Sequence, residues 1–213
     1  MRSSIKLALL VAPLLFSQCG VNRQVQQAKM LGKSNYAVRS ADNITVAGYD
    51  IQEFKDIRQL DEVNPLKYPR IAAGLLSKNI PFRANINLEV VNPTNDLAAI
   101  NQFDYRLLLD GNELATGAVQ QRIEIAPGGG KVLVPIPVNT NAYDLVTNSA
   151  TRNAFVALVR NLAGSTQAIS SRITLKIRPT LVIGNKQIKY PGYIDIDKEV
   201  TRDLLLTTQK PNP

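Results

Sequence analysis

The residue types that invite a chemical reading in this chain are a carboxylate pair, a glycine triplet and a single cysteine. Asp195 and Asp197, in Tyr193-Ile194-Asp195-Ile196-Asp197, are of the type that serves glycosidases as acid and nucleophile, and their oxygens would also suit calcium. Alternation places both on the polar face of one strand, where charged side chains ordinarily meet water, and the twelve-residue acidic calcium loop is absent. Gly128-Gly129-Gly130 lacks the Lys-Ser/Thr of a phosphate loop and leads into an extended segment, so it reads as a turn. With no histidine and one cysteine, the chain has no zinc site of the usual ligands, no Ser-His-Asp triad and no Cys-His pair. The expectation is a protein with no catalytic residues, no metal and no cofactor, acting by contact and not by turnover.

Cys19 has a different setting. Arg2 and Lys6 flank the start of the chain, and Leu7 to Phe16 is ten residues without a polar side chain. A spanning helix needs about 20 apolar residues, so this run has the profile of a signal peptide. Leu15-Phe16-Ser17-Gln18-Cys19-Gly20 follows, and it resembles a bacterial lipobox, in which the cysteine is acylated and the preceding peptide removed. Gln18 departs from that pattern, which has a small residue there. Acylation would also remove a lone thiol that is a liability in an oxidising compartment. These residues imply a leader over 1–18, lipidation at Cys19, and a membrane partner reached through N-terminal acyl chains. The expected location is the bacterial cell envelope, at the outer membrane.

The elements that would carry a contact surface follow from composition and period. An apolar content of 45% is enough to fill a core, and the residues are those of an ordinary globular domain. Without Arg2 and Lys6 the chain keeps 23 bases against 17 acids, a surplus of six. That surplus favours anionic lipid headgroups or polysaccharide through long-range fields. Its bases, such as Arg83, Arg106, Lys131 and Arg178, are scattered singly with no aromatic-rich basic motif, which argues against nucleic acid. Residues 19–41 read as a polar tether, 42–198 as the domain and 199–213 as a tail.

Within the domain, Phe82 to Val90 swaps apolar and polar residues at every step, the signature of a half-buried strand. Asn92-Pro93 ends it. Phe103, Tyr105, Leu107 and Leu109 share one face of the next strand, and Asp110-Gly111-Asn112 turns the chain into a return strand, with Gly117 expected at a bulge. Val132, Val134, Ile136 and Val138 line the inner face of a strand whose Pro135 and Pro137 demand an edge. Ile173, Leu175 and Ile177 alternate again, Pro179 interrupts the pattern, Leu181 to Ile183 resume it, and Tyr190 to Ile196 closes the sheet around Pro191-Gly192. Near the front, an extended segment opens at Ile44 and Val46 and runs towards Ile57. One stretch, Tyr143 to Leu162, has apolar spacings of three and four and predicts a single amphipathic helix from an Asn141 cap to Gly164. It would either plug the end of the sandwich or lie on a membrane surface.

The residues Leu88-Glu89-Val90-Val91-Asn92-Pro93, Phe103-Asp104-Tyr105-Arg106-Leu107-Leu108-Leu109-Asp110-Gly111 and Glu113-Leu114-Ala115-Thr116-Gly117 resemble the late embryogenesis abundant type 2 family, the water-stress and hypersensitive-response domain. Ile125-Ala126-Pro127-Gly128-Gly129 continues the order. The resemblance implies a mainly β fold, an immunoglobulin- or fibronectin-III-like β-sandwich of about seven strands with one α-helix, and offers no catalytic residue to carry over. It implies a stress-protective binding module of the envelope. The alternatives from the residues are a structural subunit that pairs an edge strand with another envelope protein, or a carrier whose apolar cavity would lie between the Phe82 and Phe103 strands beneath Phe155.

Overall fold

The computed structural model describes residues 25–27, 29–57, 62–165, 171–183, 186–201 and 204. Two antiparallel sheets pack face to face. The first has the order β2-β1-β3-β8, from β1 (Asn35–Val46), β2 (Tyr49–Asp50), β3 (Pro81–Asn92) and β8 (Gly130–Asn141). The second has the order β10-β9-β5-β6, from β5 (Gln102–Leu109), β6 (Asn112–Val119), β9 (Arg172–Ile183) and β10 (Lys186–Lys189). β11 (Ile194–Glu199) pairs with the first half of β9, whose second half pairs with β10. A two-stranded ribbon of β4 (Ala98–Ile100) and β7 (Ile123–Ile125) closes one end. Residues 25–27 and 29–31 are helical, and longer helices are α1 (Pro69–Ser77), α2 (Tyr143–Thr147) and α3 (Ser149–Leu162), with a 3-10 turn over Ile51–Phe54.

The class is the expected one. Seven of the strands have six residues or more, and the remaining four are short ribbons and hairpin arms. Phe82, Ile86, Leu88, Phe103, Tyr105, Leu107, Val134 and Ile136 all face inward and are buried together, as the alternation requires. β8 pairs with β3 alone, so Pro135 and Pro137 sit on an edge where their missing N–H groups can point away from the ladder. Asp110 and Gly111, both at positive φ, make the two-residue hairpin between β5 and β6.

Other expectations are corrected. β1 begins at Asn35 and not near Ile44, so residues 35–41 of the supposed tether pair with β3. The segment after Val46 turns at once through β2 into the 3-10 turn and does not extend to Ile57. Its weak apolar pattern hid β1, because two register shifts break its alternation and its polar Ser40 and Asp42 are spent on hydrogen bonds with Asn87 and Asn85 of β3. The helical stretch is two helices. Asn148 breaks it with extended backbone and caps α3 by accepting from the Ala150 N–H at 2.9 Å. Asn141 accepts from Tyr143 N–H at 3.0 Å and from Ile80 N–H at 2.8 Å, tying α2 to the start of β3.

Pro179 does not interrupt its strand. It falls between Ile177, the last described partner of β11, and Thr180, the first of β10, where its carbonyl accepts from the Tyr190 N–H at 2.8 Å and no N–H is asked of it. Gly117 is not a bulge, because the register shift lies at Leu107/Leu108. A Cβ at Gly117 would meet the Tyr105 hydroxyl at 2.5 Å, so the missing side chain makes room for that ring. Tyr105 uses the space to donate its hydroxyl to the Pro137 carbonyl on β8, joining the two sheets at their β6 and β8 edges. Burial pushes its phenol up.

Candidate functional site

Asp195 and Asp197 lie on β11 with their side chains on the outer face of the second sheet, as alternation requires. Cross-strand register puts Asp195 opposite Lys176 and Asp197 opposite Thr174. Lys176 donates to Asp195, and the Thr174 hydroxyl donates to Asp197 at 2.5 Å. The same face continues through Asp104 on β5, which accepts from Lys189 at 2.6 Å and Arg178 at 3.1 Å, while Tyr193 lies beneath the guanidinium groups of Arg106 and Arg178. This is a ladder of ion pairs and hydrogen bonds on an exposed face, and it is built to be wetted. Among the described residues no three His, Cys, Asp or Glu side chains gather as metal ligands would. Beside it, Asp110, Arg172, Thr174 and Asp197 border a shallow polar hollow of about 310 Å³, where Asp110 already accepts from the Arg172 N–H at 2.9 Å.

Hydrogen bonds from Lys189, then from Arg178, hold the Asp104 carboxyl below its usual range against the opposing effect of partial burial. A lowered folded-state pKa stabilises the fold above the ordinary aspartate value of about 3.9, and this contribution is lost as pH falls through the lowered value. The difference in urea midpoint between the native chain and Asp104→Asn therefore narrows on acidification from about pH 4 downward. A difference that stays constant across that range would mean the carboxylate is not held by its two cations.

Among the described residues, the apolar spaces between the layers are small. Between the sheets, Ile44, Phe82, Ile86, Leu107, Leu158 and Leu162 border a void of about 30 Å³. A second apolar cavity of about 50 Å³ lies under the helices, lined by Val46, Phe54, Ile71, Ile80, Phe155 and Val159 among others. Small-molecule sites run to about 300–1,000 Å³, so neither void holds a lipid-sized ligand. The cavity expected beneath Phe155 is filled by packing, with the Phe155 ring edge-on to Phe82 at 5.7 Å. α3 buries Phe155, Leu158 and Leu162 in the core and so plugs the sandwich; its apolar face is not available to a membrane.

The feature that sequence reasoning missed is α1. Tyr68, Ile71 and Gly74 form its buried side. Tyr68 stacks on Phe54 at 5.2 Å, meets Tyr49 edge-on at 5.3 Å, and donates its hydroxyl to the Glu53 carbonyl at 2.9 Å. A Cβ on Gly74 would sit 2.8 Å from the Asn79 carbonyl, so the helix lies tight against the chain leading into β3. Lys78, at φ 56°, is its left-handed cap, which explains the polar Lys78-Asn79 step before β3. The available signal was Pro69 in the first turn ahead of a run of Ile, Ala and Leu. Its outer side and the turn before it are unusual, for Leu66 in that turn is 92% exposed, Leu76 89% and Leu75 37%.

Two antiparallel sheets with one shared core make this an immunoglobulin-like β-sandwich. No protein-family model matches the chain, and no curated protein sequence does. Among solved structures it is similar to a crystal structure of a protein from Archaeoglobus fulgidus, at 16% identity over 57% of this chain and 85% of that one, with a TM-score of 0.33. It is also similar to the solution structure of a putative late embryogenesis abundant protein, at 16% identity over 87% of this chain and 86% of that one, with a TM-score of 0.30. A solution structure from Arabidopsis thaliana shares 18% identity over 58% of this chain and 70% of that one, with a TM-score of 0.30. The likeness is distant and assigns no role to any residue. Cys19 lies outside the described residues.

Proposed function

We propose that the chain is a non-catalytic contact module of the bacterial envelope, anchored by acyl chains on Cys19, with a protective role under osmotic or drying stress. The observation that carries this reading is the tight packing of the described core, whose apolar voids between the layers, of about 30 and 50 Å³, are too small for a lipid-sized ligand and so favour recognition at the outer surface. The resemblance of its strand and turn motifs to the late embryogenesis abundant type 2 family supports the protective role. Lipid headgroups, polysaccharide and envelope proteins are the partner classes that a basic surface suits. Strand addition at β8 is disfavoured by Pro135 and Pro137 and by the bond already made to the Pro137 carbonyl.

Cys19→Ser is expected to move the protein from the membrane to the soluble fraction or to stall its export, since acyl chains contribute about 0.8 kcal/mol per buried methylene. Fractionation with mass measurement of the mature protein checks this. Full membrane retention of the Ser variant at unchanged mass would overturn the anchor.

A further inference from the structure

The outer side of α1, with the turn that precedes it, has the chemistry of a bilayer-docking surface. Of the six large hydrophobic side chains exposed among the described residues, Leu66, Leu75 and Leu76 fall on this one element, while Leu133, Ile188 and Tyr190 lie on strands or just beyond one. The exposure is not a sign of loose packing. The inner side of α1 is pinned by the Tyr49, Phe54 and Tyr68 rings and by the close approach at Gly74. Cations are interspersed with the leucines along the sequence. From Val63 to Asn79 the chain has Lys67, Arg70 and Lys78 and no acid. Lys67 sits 5.1 Å above the Tyr68 ring, and Arg70 sits 4.6 Å above the Tyr49 ring while donating to the Gly48 carbonyl at 3.0 Å.

We infer that Leu66, Leu75 and Leu76 insert into the interface of a bilayer carrying anionic lipids, with Lys67, Arg70 and Lys78 on its headgroups. Leucine beside lysine and arginine on a short amphipathic element is the pattern of interfacial binding. At nine residues α1 is far too short to span, and no helix of the described residues is long and apolar enough to cross a membrane. A second copy of the chain is a poor occupant, because symmetric pairing would bring like charges together. A protein partner is also a poor fit, since two protruding leucines with a third that is 37% exposed make a patch well short of the roughly 800 Å² that a stable protein interface takes from each side. A fluid acyl layer needs no preformed pocket to receive them.

The inference names the surface and the lipid class within the proposed envelope role, and its test is independent of the anchor. The chain contains no tryptophan, so one introduced indole is a clean reporter. Full-length protein carrying Cys19→Ser and Leu76→Trp is mixed with phosphatidylcholine vesicles, with or without phosphatidylglycerol. The expected result is a blue-shifted emission with the anionic vesicles, quenched by brominated acyl chains and reversed by salt, because the attraction is screened over about 8 Å at physiological ionic strength. A reporter at Leu133→Trp, on β8, should not shift. Adding Leu66→Glu and Lys67→Glu to the reporter should weaken binding by about tenfold or more. Equal shifts on neutral and anionic vesicles, no shift on either, or a concentration-dependent shift without vesicles, which would indicate self-association, would each overturn the inference. Cys19→Ser leaving the membrane while the indole still shifts would separate anchor from patch.

Discussion

Leu107→Ala is expected to lower the unfolding free energy by about 2–5 kcal/mol, the range for buried leucines cut back to alanine. Leu107 sits mid-strand on β5, opposite Ala115 on β6 and Leu175 on β9, and is 2% exposed. It already borders the void between the sheets, together with Phe82, Ile86 and Leu158. Removing its branch enlarges a space that the surrounding strands cannot close, because their backbones are fixed by ladders on both sides of β5. Leu133→Ala is the control. Leu133 faces outward on β8 and is more than half exposed, so its loss should stay within about 0.5 kcal/mol. Urea unfolding reads both, and the midpoint should fall for Leu107→Ala with little change of slope. A loss below about 0.5 kcal/mol at Leu107 would invert the face assignment of β5.

Asn92→Ala should cost about 3 kcal/mol, although no apolar area of consequence is lost, because it removes four hydrogen bonds of a fully buried side chain and leaves the buried Ile125 carbonyl without its Asn92 donor. Asn92 is fully buried at the end of β3. Its amide donates to the Asp96 carbonyl at 2.8 Å and to the Ile125 carbonyl at 3.1 Å, and its oxygen accepts from the Thr94 N–H at 3.1 Å and the Thr94 hydroxyl at 2.7 Å. Its backbone carbonyl also accepts from Gly129 N–H at 2.8 Å, so this one residue stitches the Pro93 turn, β7 and the Gly128-Gly129-Gly130 turn together. Asn92→Asp is the informative comparison. It keeps the acceptors for Thr94 but loses both donors and buries a charge, so at neutral pH it should be at least as damaging as alanine. It should recover partly in acid, where the protonated carboxyl can donate once. An Asn92→Ala protein as stable as the native chain would mean that the turns hold themselves.

Asn92 also shows why motif residues here point to architecture. Its pairing with Pro93 is among the features that resemble the late embryogenesis abundant type 2 family, and in the structure every polar atom of that side chain is spent on turns. Asp195 and Asp197 make the complementary point. Their placement on one outward face was legible from alternation, but their hydrogen-bond partners, Lys176 on Asp195 and Thr174 on Asp197, were not, because the register of β11 on β9 is a long-range choice.

Period-two alternation by itself determined the inward set of β3, β5 and β8, since successive strand residues must point to opposite faces and only one face can be buried. The two prolines of β8 determined its edge position, and Asp110-Gly111 determined a hairpin, because each rests on local backbone chemistry that no distant contact needs to supply. What only the tertiary structure decided are the features that depend on which segments meet. β1 is a strand because its polar Ser40 and Asp42 find Asn85 and Asn87 on a neighbour, although its own pattern is weak. Gly117 is required by the Tyr105 ring of another strand and not by its own turn. α1 holds its place through Tyr49, Phe54 and Tyr68, which are separated in sequence and converge only when the 3-10 turn folds under the helix. That convergence leaves Leu66 and Leu76 facing water, and side chains exposed by the packing of others cannot be told from core leucines by residue type.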